Sequence, residues 1–196
     1  MTVLDGRDAL LAAAVIDGVC AGAHVETPLG ERRIETLREG DPVLLAGGGV
    51  GIITWIGWVA VAADDRRNSP VVLPGGVMGQ RMPRRALRVA PHQAVLCGGA
   101  GLIAAGLLFA PDPAAEPVGY FQISLRHGAC LLVEGLALRS ADAPADVVAD
   151  PDDQRPAVIA DATSLLAALA MPDDTEGAAQ RVAALLEAIA RLRRTG

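Results

Sequence analysis

Three cysteines and three histidines are the side chains of this sequence that could together support catalysis by a thiolate: Cys20, Cys97, Cys130, His24, His92 and His127. A thiolate attacks a carbonyl carbon when a base lies within hydrogen-bond reach and the sulfur is partly exposed. The cysteine spacing matches no zinc-binding pattern and no even set of disulfides, so we expect free thiols, a reducing compartment and no metal site. From composition alone, a small buried hydrophobic role for each cysteine stays open beside the nucleophilic one.

Glycine-rich stretches in the sequence do not predict a cofactor site. Residues 47–49 are all glycine, but no Lys-Ser/Thr pair of a phosphate-binding loop follows them. They also lack the strand-to-helix context of a dinucleotide fold, and they are typical of a hairpin turn. We therefore predict that the protein uses no cofactor.

The charge pattern argues against a nucleic-acid partner. All 17 basic residues are arginine, and 23 acidic residues give a formal net charge of -6. Phosphate backbones select for clustered positive charge, whereas these arginines are scattered among acids. We expect the adjacent pair Arg84 and Arg85, and likewise Arg193 and Arg194, to be solvated surface.

No apolar stretch reaches the roughly 20 residues that a membrane span needs. Residues 10–16 are apolar, but Asp5 and Asp8 stand where a signal peptide carries positive charge, and Asp17 follows directly. We predict no membrane span and, by default, a cytoplasmic location.

The elements that must position the candidate residues begin with a predicted N-terminal helix and a β domain. Residues 5–16 show apolar positions at helical spacing, within an N-terminal segment of residues 1–17. From residue 18 to 140, β-branched runs alternate with Gly and Pro turns, which indicates a mainly β domain of antiparallel strands. The runs cover residues 23–27, 42–45, 50–61, 71–73, 87–89, 94–97, 120–123 and 129–133, with one helical turn at 34–38.

The C-terminal part returns to helical periodicity after an acidic, proline-rich segment. Residues 141–156 are typical of a linker. Residues 157–170 and 176–194 predict a helical hairpin within residues 157–196. One face of its second helix must be buried against the β domain, a second copy of the chain or a protein partner, and carries Val182, Leu185, Ile189 and Leu192.

Four phrases of the central zone resemble, in order, the hedgehog/intein (Hint) domain family, and in particular its bacterial stand-alone members. They are residues 27–41 (TPLGERRIETLREGD), 55–57 (WIG), 83–91 (PRRALRVAP), and 120–127 (YFQISLRH) with 132–136 (LVEGL). The resemblance covers about residues 18–140 and implies the curved, horseshoe-like β-fold of Hint domains.

Membership of this family implies self-processing. A cysteine at the first position of the module attacks the preceding carbonyl and converts a peptide bond into a thioester. A histidine in a Thr/Ser-x-x-His phrase protonates the departing amide nitrogen. Inteins then complete splicing with a terminal His-Asn, whereas hedgehog-type members pass the thioester to an external nucleophile.

The sequence departs from that pattern at the catalytic positions. Counting back from Thr27 by the family's spacing reaches Gly18, and Cys20 lies two residues later. The family's histidine position holds Gln93, with His92 one residue early. Glutamine forms hydrogen bonds but cannot exchange a proton near neutral pH.

Two further positions bear on the resemblance. The late His127 is retained, and the polar position beside Tyr120 and Phe121 is Gln122. The only asparagine, Asn68, lies far from either end of the module, so we predict no asparagine cyclisation and no splicing.

Two main hypotheses follow. In the first, which we prefer, the degenerate site has weakened or lost autoprocessing and the domain acts as a folded interaction module. In the second, Cys20 performs an N-to-S acyl shift on the Val19 carbonyl, with His92 or His127 as proton donor. That reaction would cleave the chain between Val19 and Cys20 in a single turnover.

A third hypothesis is a thiol hydrolase that acts on external substrates with Cys97 or Cys130 and His127. Cys130 follows His127 by three residues, and an odd offset within one strand places two side chains on opposite faces. The sequence therefore gives this hypothesis little support.

Overall fold

The computed structural model describes residues 16–98, 101–112, 114–142 and 158–159, and this part of the chain is mainly β. Its thirteen strands are β1 (Val19–Cys20), β2 (His24–Thr27), β3 (Gly30–Arg33), β4 (Pro42–Leu44), β5 (Val50–Val61), β6 (Val71–Leu73), β7 (Leu87–Val89), β8 (Ala94–Leu96), β9 (Leu102–Ala104), β10 (Val118–Leu125), β11 (Cys130–Val133), β12 (Leu136–Arg139) and β13 (Val158–Ile159). One short helix, α1 (Ala105–Leu108), and 3-10 turns at Ile34–Thr36, Arg66–Asn68 and Arg126–Gly128 connect them. No helix in the described residues is long and apolar enough to cross a membrane.

The strands form two sheets. The first has the order β4-β5-β10-β1-β7-β6, and the second has the order β13-β9-β8-β12-β11-β2-β3. Neighbouring strands pair antiparallel, apart from β13, which runs parallel to β9. The two-residue strand β1 lies in the interior of the first sheet, where Val19 pairs with Phe121 of β10 and with Val89 of β7.

The main core lies between the two sheets and is built of aliphatic side chains. It combines Val19, Val71 and Val89 of the first sheet with Val25 and Leu138 of the second. A smaller cluster forms on the opposite face of the first sheet and contains Ile16, Cys20, Val61, Ala90 and Tyr120. The first sheet is therefore buried on both faces around β1.

The long strand β5 shows why this sequence forms extended structure. It is rich in β-branched and aromatic residues, which pack well on a pleated surface. Its pairing with β10 shifts between Ser124 and Leu125, where Thr54 is the extra residue of a β-bulge. The indole of Trp55 lies over Gly57, since a Cβ on Gly57 would collide with that ring. The glycine of the Trp-Ile-Gly phrase thus leaves room for the tryptophan.

A charged clamp of His24, Arg84, Arg85, Glu31 and Glu134 joins the two sheets. The Glu134 carboxylate is 1% exposed; its Oε1 accepts a 2.9 Å bond from the His24 amide and lies 2.9 Å from His24 Nδ1. Arg85, just before β7, lies 2.6 Å from Glu134 Oε2 and 2.9 Å from Glu31 Oε2. Arg84 lies 2.7 Å from Glu31 Oε1. Arg84 and Arg85 are exposed as expected, but they are engaged in ion pairs rather than simply solvated.

The mainly β fold class is confirmed, and several strands coincide with the predicted runs. Strands β5, β6 and β7 match the predicted bounds, and the predicted helical turn is the 3-10 turn Ile34–Thr36. Four strands within residues 18–140 were not predicted, namely β1, β3, β9 and β12. Strand β1 has only two residues and β9 only three, and β3 is an exposed edge strand without apolar alternation. Strand β12 does alternate, with Leu136 and Leu138 buried, and its run was missed.

Predictions for the two ends of the chain lie mostly outside the described residues. Residues 1–15 and 160–196, with the predicted N-terminal helix and most of the helical hairpin, are not described. At the boundaries, Ile16 and Asp17 are not helical. Val158–Ile159, the expected start of a helix, instead pairs with β9, which corrects the prediction at these two residues.

Replacement of Glu134 by alanine tests the clamp. The Glu134→Ala variant leaves the amide of His24 without its carboxylate acceptor, and we expect the free energy of unfolding to fall by about 1–3 kcal/mol. Urea unfolding followed by circular dichroism measures this difference. Glu116→Ala, at an exposed position, is the control and should change stability by less than about 0.5 kcal/mol. Equal stability of the two variants would contradict a stabilising role for the clamp.

Candidate functional site

The candidate site is a corner at the start of the β domain, formed by Asp17, Gly18, His92, Gln93 and Gln122 (the Gly18 corner). Gly18 is buried and has a φ of +131°, a conformation that L side chains rarely adopt. A Cβ at this position would lie 2.8 Å from the Phe121 carbonyl oxygen. Only a glycine fits here without movement of the neighbouring strand.

Gln93 is the side chain that fixes Gly18. Its Oε1 accepts a 3.0 Å hydrogen bond from the Gly18 amide, and its Nε2 donates to the carbonyls of Ala94 at 3.1 Å and Arg139 at 2.9 Å. The side chain is 3% exposed. The carboxamide thus uses both its acceptor and its donors in a buried position, as a structural hydrogen-bonding group does.

The turn that carries Gln93 is held by neighbouring backbone. The Gln93 amide donates to the Ala90 carbonyl at 3.0 Å, which closes the turn, and the Ala90 amide donates to the Gly18 carbonyl at 2.9 Å. The first residues of α1 support the turn from the other side, because the Ala105 amide donates to the Gln93 carbonyl at 2.9 Å. Residue 93 is therefore rigidly placed against Gly18.

Gln122 of β10 contacts the residue on the other side of the same peptide bond. Its Nε2 donates to Asp17 Oδ1 at 2.8 Å and to the Asp17 backbone carbonyl at 3.2 Å. The peptide bond between Asp17 and Gly18 is consequently held by two glutamines, one at its carbonyl oxygen and one at its N–H. The sequence marks Gln122 as a polar position, but the fold alone brings it into contact with Asp17.

Burial shifts the titration of the two ionisable groups in the corner. Burial raises the pKa of Asp17, an effect that the hydrogen bond from Gln122 and the charge of Arg139 partly offset. Burial lowers the pKa of His92, while the charge of Asp17 acts in the opposite direction. Within the Gly18 corner, His92 is half-buried and lies in the turn ahead of β8 rather than in a strand.

Cys20 lies two residues beyond Gly18, in β1. It is 8% exposed and belongs to the smaller apolar cluster, opposite Tyr120 of β10. Burial raises the pKa of the Cys20 thiol to about 11, with Arg88 lowering it slightly. At neutral pH this group is a buried thiol, and the charged neighbour that affects it is an arginine rather than an imidazole.

The other predicted site residues lie elsewhere. Cys97 follows β8, and burial raises the pKa of its thiol to about 11. Cys130 begins β11, and burial also raises the pKa of its thiol. His127 belongs to the 3-10 turn Arg126–Gly128, so strand alternation does not relate it to Cys130 as the sequence argument assumed.

Two cavities accompany these features. One of about 10 Å³ lies beneath Gln93 and is lined by Val19, Phe121 and Arg139 among others. That space holds one water molecule at most. A wider open groove of about 480 Å³ lies along Arg81, Met82 and Leu132. Neither belongs to a cluster of metal-ligating side chains, of which the described residues contain none.

The β domain matches a known protein family. The family model of the Hint domain matches residues 18–143, which is more than half of the chain. The chain belongs to the Hint domain family, as the resemblance in sequence had indicated. No curated protein matches the chain.

The chain is also similar to two solved structures. A bacterial intein-like domain from Clostridium thermocellum is 14% identical with a TM-score of 0.49, and the match covers 64% of this chain and 99% of that one. The gp41-1 intein is 13% identical with a TM-score of 0.44, over 64% of this chain and 99% of that one.

Replacement of Gly18 by alanine tests how tightly the corner is built. Positive φ costs a non-glycine residue about 1–3 kcal/mol, and the 2.8 Å approach to Phe121 adds an overpacking cost of about 1–3 kcal/mol. We expect Gly18→Ala to lower the free energy of unfolding by the sum of these two effects, measured by urea unfolding.

The matched control is Gly22→Ala, because Gly22 has a φ of +88° but nothing within 4 Å of its Cβ position. This variant should show the conformational cost alone. A Gly18→Ala variant no less stable than Gly22→Ala would show that position 18 tolerates a side chain.

Proposed function

We propose that this Hint domain has lost thiol-dependent autoprocessing and acts as a folded interaction module. The observation that carries the proposal is the hydrogen bond from the Gly18 amide to Gln93 Oε1. In the family, the first residue supplies the nucleophile and a histidine assists departure of its amide nitrogen. In this chain the corresponding amide is that of Gly18, which has no nucleophilic side chain. This amide donates to the carboxamide of Gln93, which cannot transfer a proton.

The conformation of Gly18 supports the same proposal. A cysteine at this position would need both a positive φ and the space that the Phe121 carbonyl fills. The corner is thus adapted to glycine, and restoring the cysteine alone would not restore a working geometry. The three hydrogen bonds of Gln93 give that residue a structural role in place of an acid–base role.

The environment of Cys20 supports loss of the thiol reaction rather than its transfer by two residues. Attack on the Val19 carbonyl would break a peptide bond of β1, which pairs with strands on both sides. The thiol is buried among apolar side chains, and its pKa of about 11 leaves little thiolate at neutral pH. Cleavage at Val19–Cys20 therefore has an unfavourable geometry and a weak nucleophile.

Exposed apolar side chains support the interaction role. Trp58 of β5 is 60% exposed, and Val50 and Ile52 of the same strand are also exposed. Contiguous apolar patches on the surface of a domain are typical of protein-binding faces, and Val50 and Ile52 lie two residues apart on the same face of β5. We propose a protein partner or a second copy of the chain as the ligand, with the C-terminal residues contributing to the contact.

Denaturing mass spectrometry of the purified full-length chain tests the loss of thiol chemistry. The chain is incubated with and without dithiothreitol, because a strong thiol releases any thioester as a fragment. We expect no thiol-dependent fragment in the wild type, in Cys20→Ala or in the control Cys97→Ala.

A fragment that begins at Cys20, grows with dithiothreitol and disappears only in Cys20→Ala would overturn the proposal. That result would establish the alternative, a self-cleaving Hint domain in which Cys20 attacks the Val19 carbonyl with a histidine as proton donor.

A further inference from the structure

The side chain of Asp17 is held against the backbone carbonyl of its own residue. A single donor, Nε2 of Gln122, binds both Asp17 Oδ1 and the Asp17 carbonyl oxygen, at 2.8 and 3.2 Å. This contact keeps the carboxyl group and the carbonyl on the same side of the residue. It also places a hydrogen-bond donor on the oxygen that would gain negative charge if the carbonyl carbon were attacked.

We propose that the peptide bond between Asp17 and Gly18 is a site of self-cleavage driven by the Asp17 carboxylate, without a thiol. A carboxylate oxygen of Asp17 attacks the Asp17 carbonyl carbon and closes a five-membered cyclic anhydride. The bond from that carbon to the Gly18 nitrogen breaks, and its electron pair remains on the nitrogen, which takes up a proton. One water molecule then hydrolyses the anhydride and leaves Asp17 as a C-terminal residue.

Gly18 is suited to be the residue that departs. It has no side chain to hinder closure of the ring at the preceding carbonyl. Its nitrogen already faces Gln93 Oε1 at 3.0 Å, so the amine that forms keeps a hydrogen-bond acceptor. The fold therefore stabilises the product as well as the peptide. It also orients the carboxylate and the carbonyl of Asp17 toward one another, and such orientation favours an intramolecular reaction.

The polar and charged groups around Asp17 come from three elements. The neutral carboxamide of Gln122 contacts it from β10, the charge of Arg139 acts on it from β12, and His92 acts on it from the turn before β8. Arg67 in turn acts on His92. His92 is the titratable group in this set that can supply a proton to the departing nitrogen once it is protonated. Because burial lowers the pKa of His92 below its ordinary value of about 6.5, cleavage should accelerate as the pH falls through about 6, and it should slow again at the lower pH where the Asp17 carboxylate takes up a proton.

The reaction of Asp17 uses a different nucleophile and breaks a different bond from the thiol reaction. Cleavage here gives fragments of residues 1–17 and 18–196, whereas the Cys20 reaction would give fragments of residues 1–19 and 20–196. The two outcomes differ in mass and in their need for a thiol. Failure of one proposal is therefore distinguishable from failure of the other.

Time-resolved mass spectrometry of the full-length folded protein at about pH 5, without thiol, tests the proposal. The chain contains an internal control of the same dipeptide, because Asp5 is also followed by glycine, at Gly6. We expect cleavage after Asp17 to be at least roughly tenfold faster than cleavage after Asp5. The same comparison in urea should abolish the difference, because unfolding removes the contacts of Gln122 and Gln93.

Two variants identify the groups responsible. Asp17→Ala removes the nucleophile and should abolish cleavage at this bond. Gln122→Met keeps the length of the side chain but removes its donor, and should slow cleavage by about tenfold. Circular dichroism of each variant shows that the fold is retained, and Cys20→Ala should cleave after residue 17 at the wild-type rate.

Three results would overturn the inference. They are a rate after Asp17 that does not exceed the rate after Asp5, an equal rate in the urea-unfolded chain, and cleavage that survives Asp17→Ala.

Discussion

The close approach of β10 to the chain at Gly18 is the constraint on which the candidate site depends. A Cβ at residue 18 would lie 2.8 Å from the Phe121 carbonyl oxygen and 3.0 Å from the Cβ of Tyr120. Only hydrogen fits in that space, and glycine alone adopts the required φ without strain. The backbone amide of Gly18 can then approach Gln93, which is fixed by its own turn and by α1. A nucleophilic side chain at residue 18 and this packing exclude one another.

Two glutamine side chains hold the backbone of the Gly18 corner. The peptide bond between Asp17 and Gly18, at the start of the Hint domain, is hydrogen-bonded on both sides. Gln122 binds its carbonyl oxygen and Gln93 binds its N–H. Neither group exchanges protons near neutral pH, and the nearest thiol, Cys20, is part of an apolar cluster. The carboxyl of Asp17 is the group at this bond to which we assign a reaction, and we assign none to the Cys20 thiol.

The sequence predicts those elements whose pattern of apolar residues lies within one short segment, and it does not predict contacts between distant segments. Strand β5 is predicted to the residue because its apolar and β-branched side chains form a continuous pattern. Strand β3 is not predicted because its residues are mostly charged and exposed. It forms a strand through its hairpin pairing with β2. At the site, the family resemblance identified Gly18 and Gln93 as replaced positions. The contact of Gln122 with Asp17 joins residues 105 apart and could only come from the fold.

Hydrogen exchange of the Gly18 amide, followed residue by residue by NMR in the native protein, tests the central claim most directly. If Gln93 holds this amide as a structural partner, the Gly18 amide exchanges only through global unfolding in the wild type. In Gln93→Leu, protection should fall at Gly18 more than at the central amides of β5. Rapid exchange of the Gly18 amide in the wild type, at the rate of an exposed loop, would contradict the claim that this corner is a closed structural site.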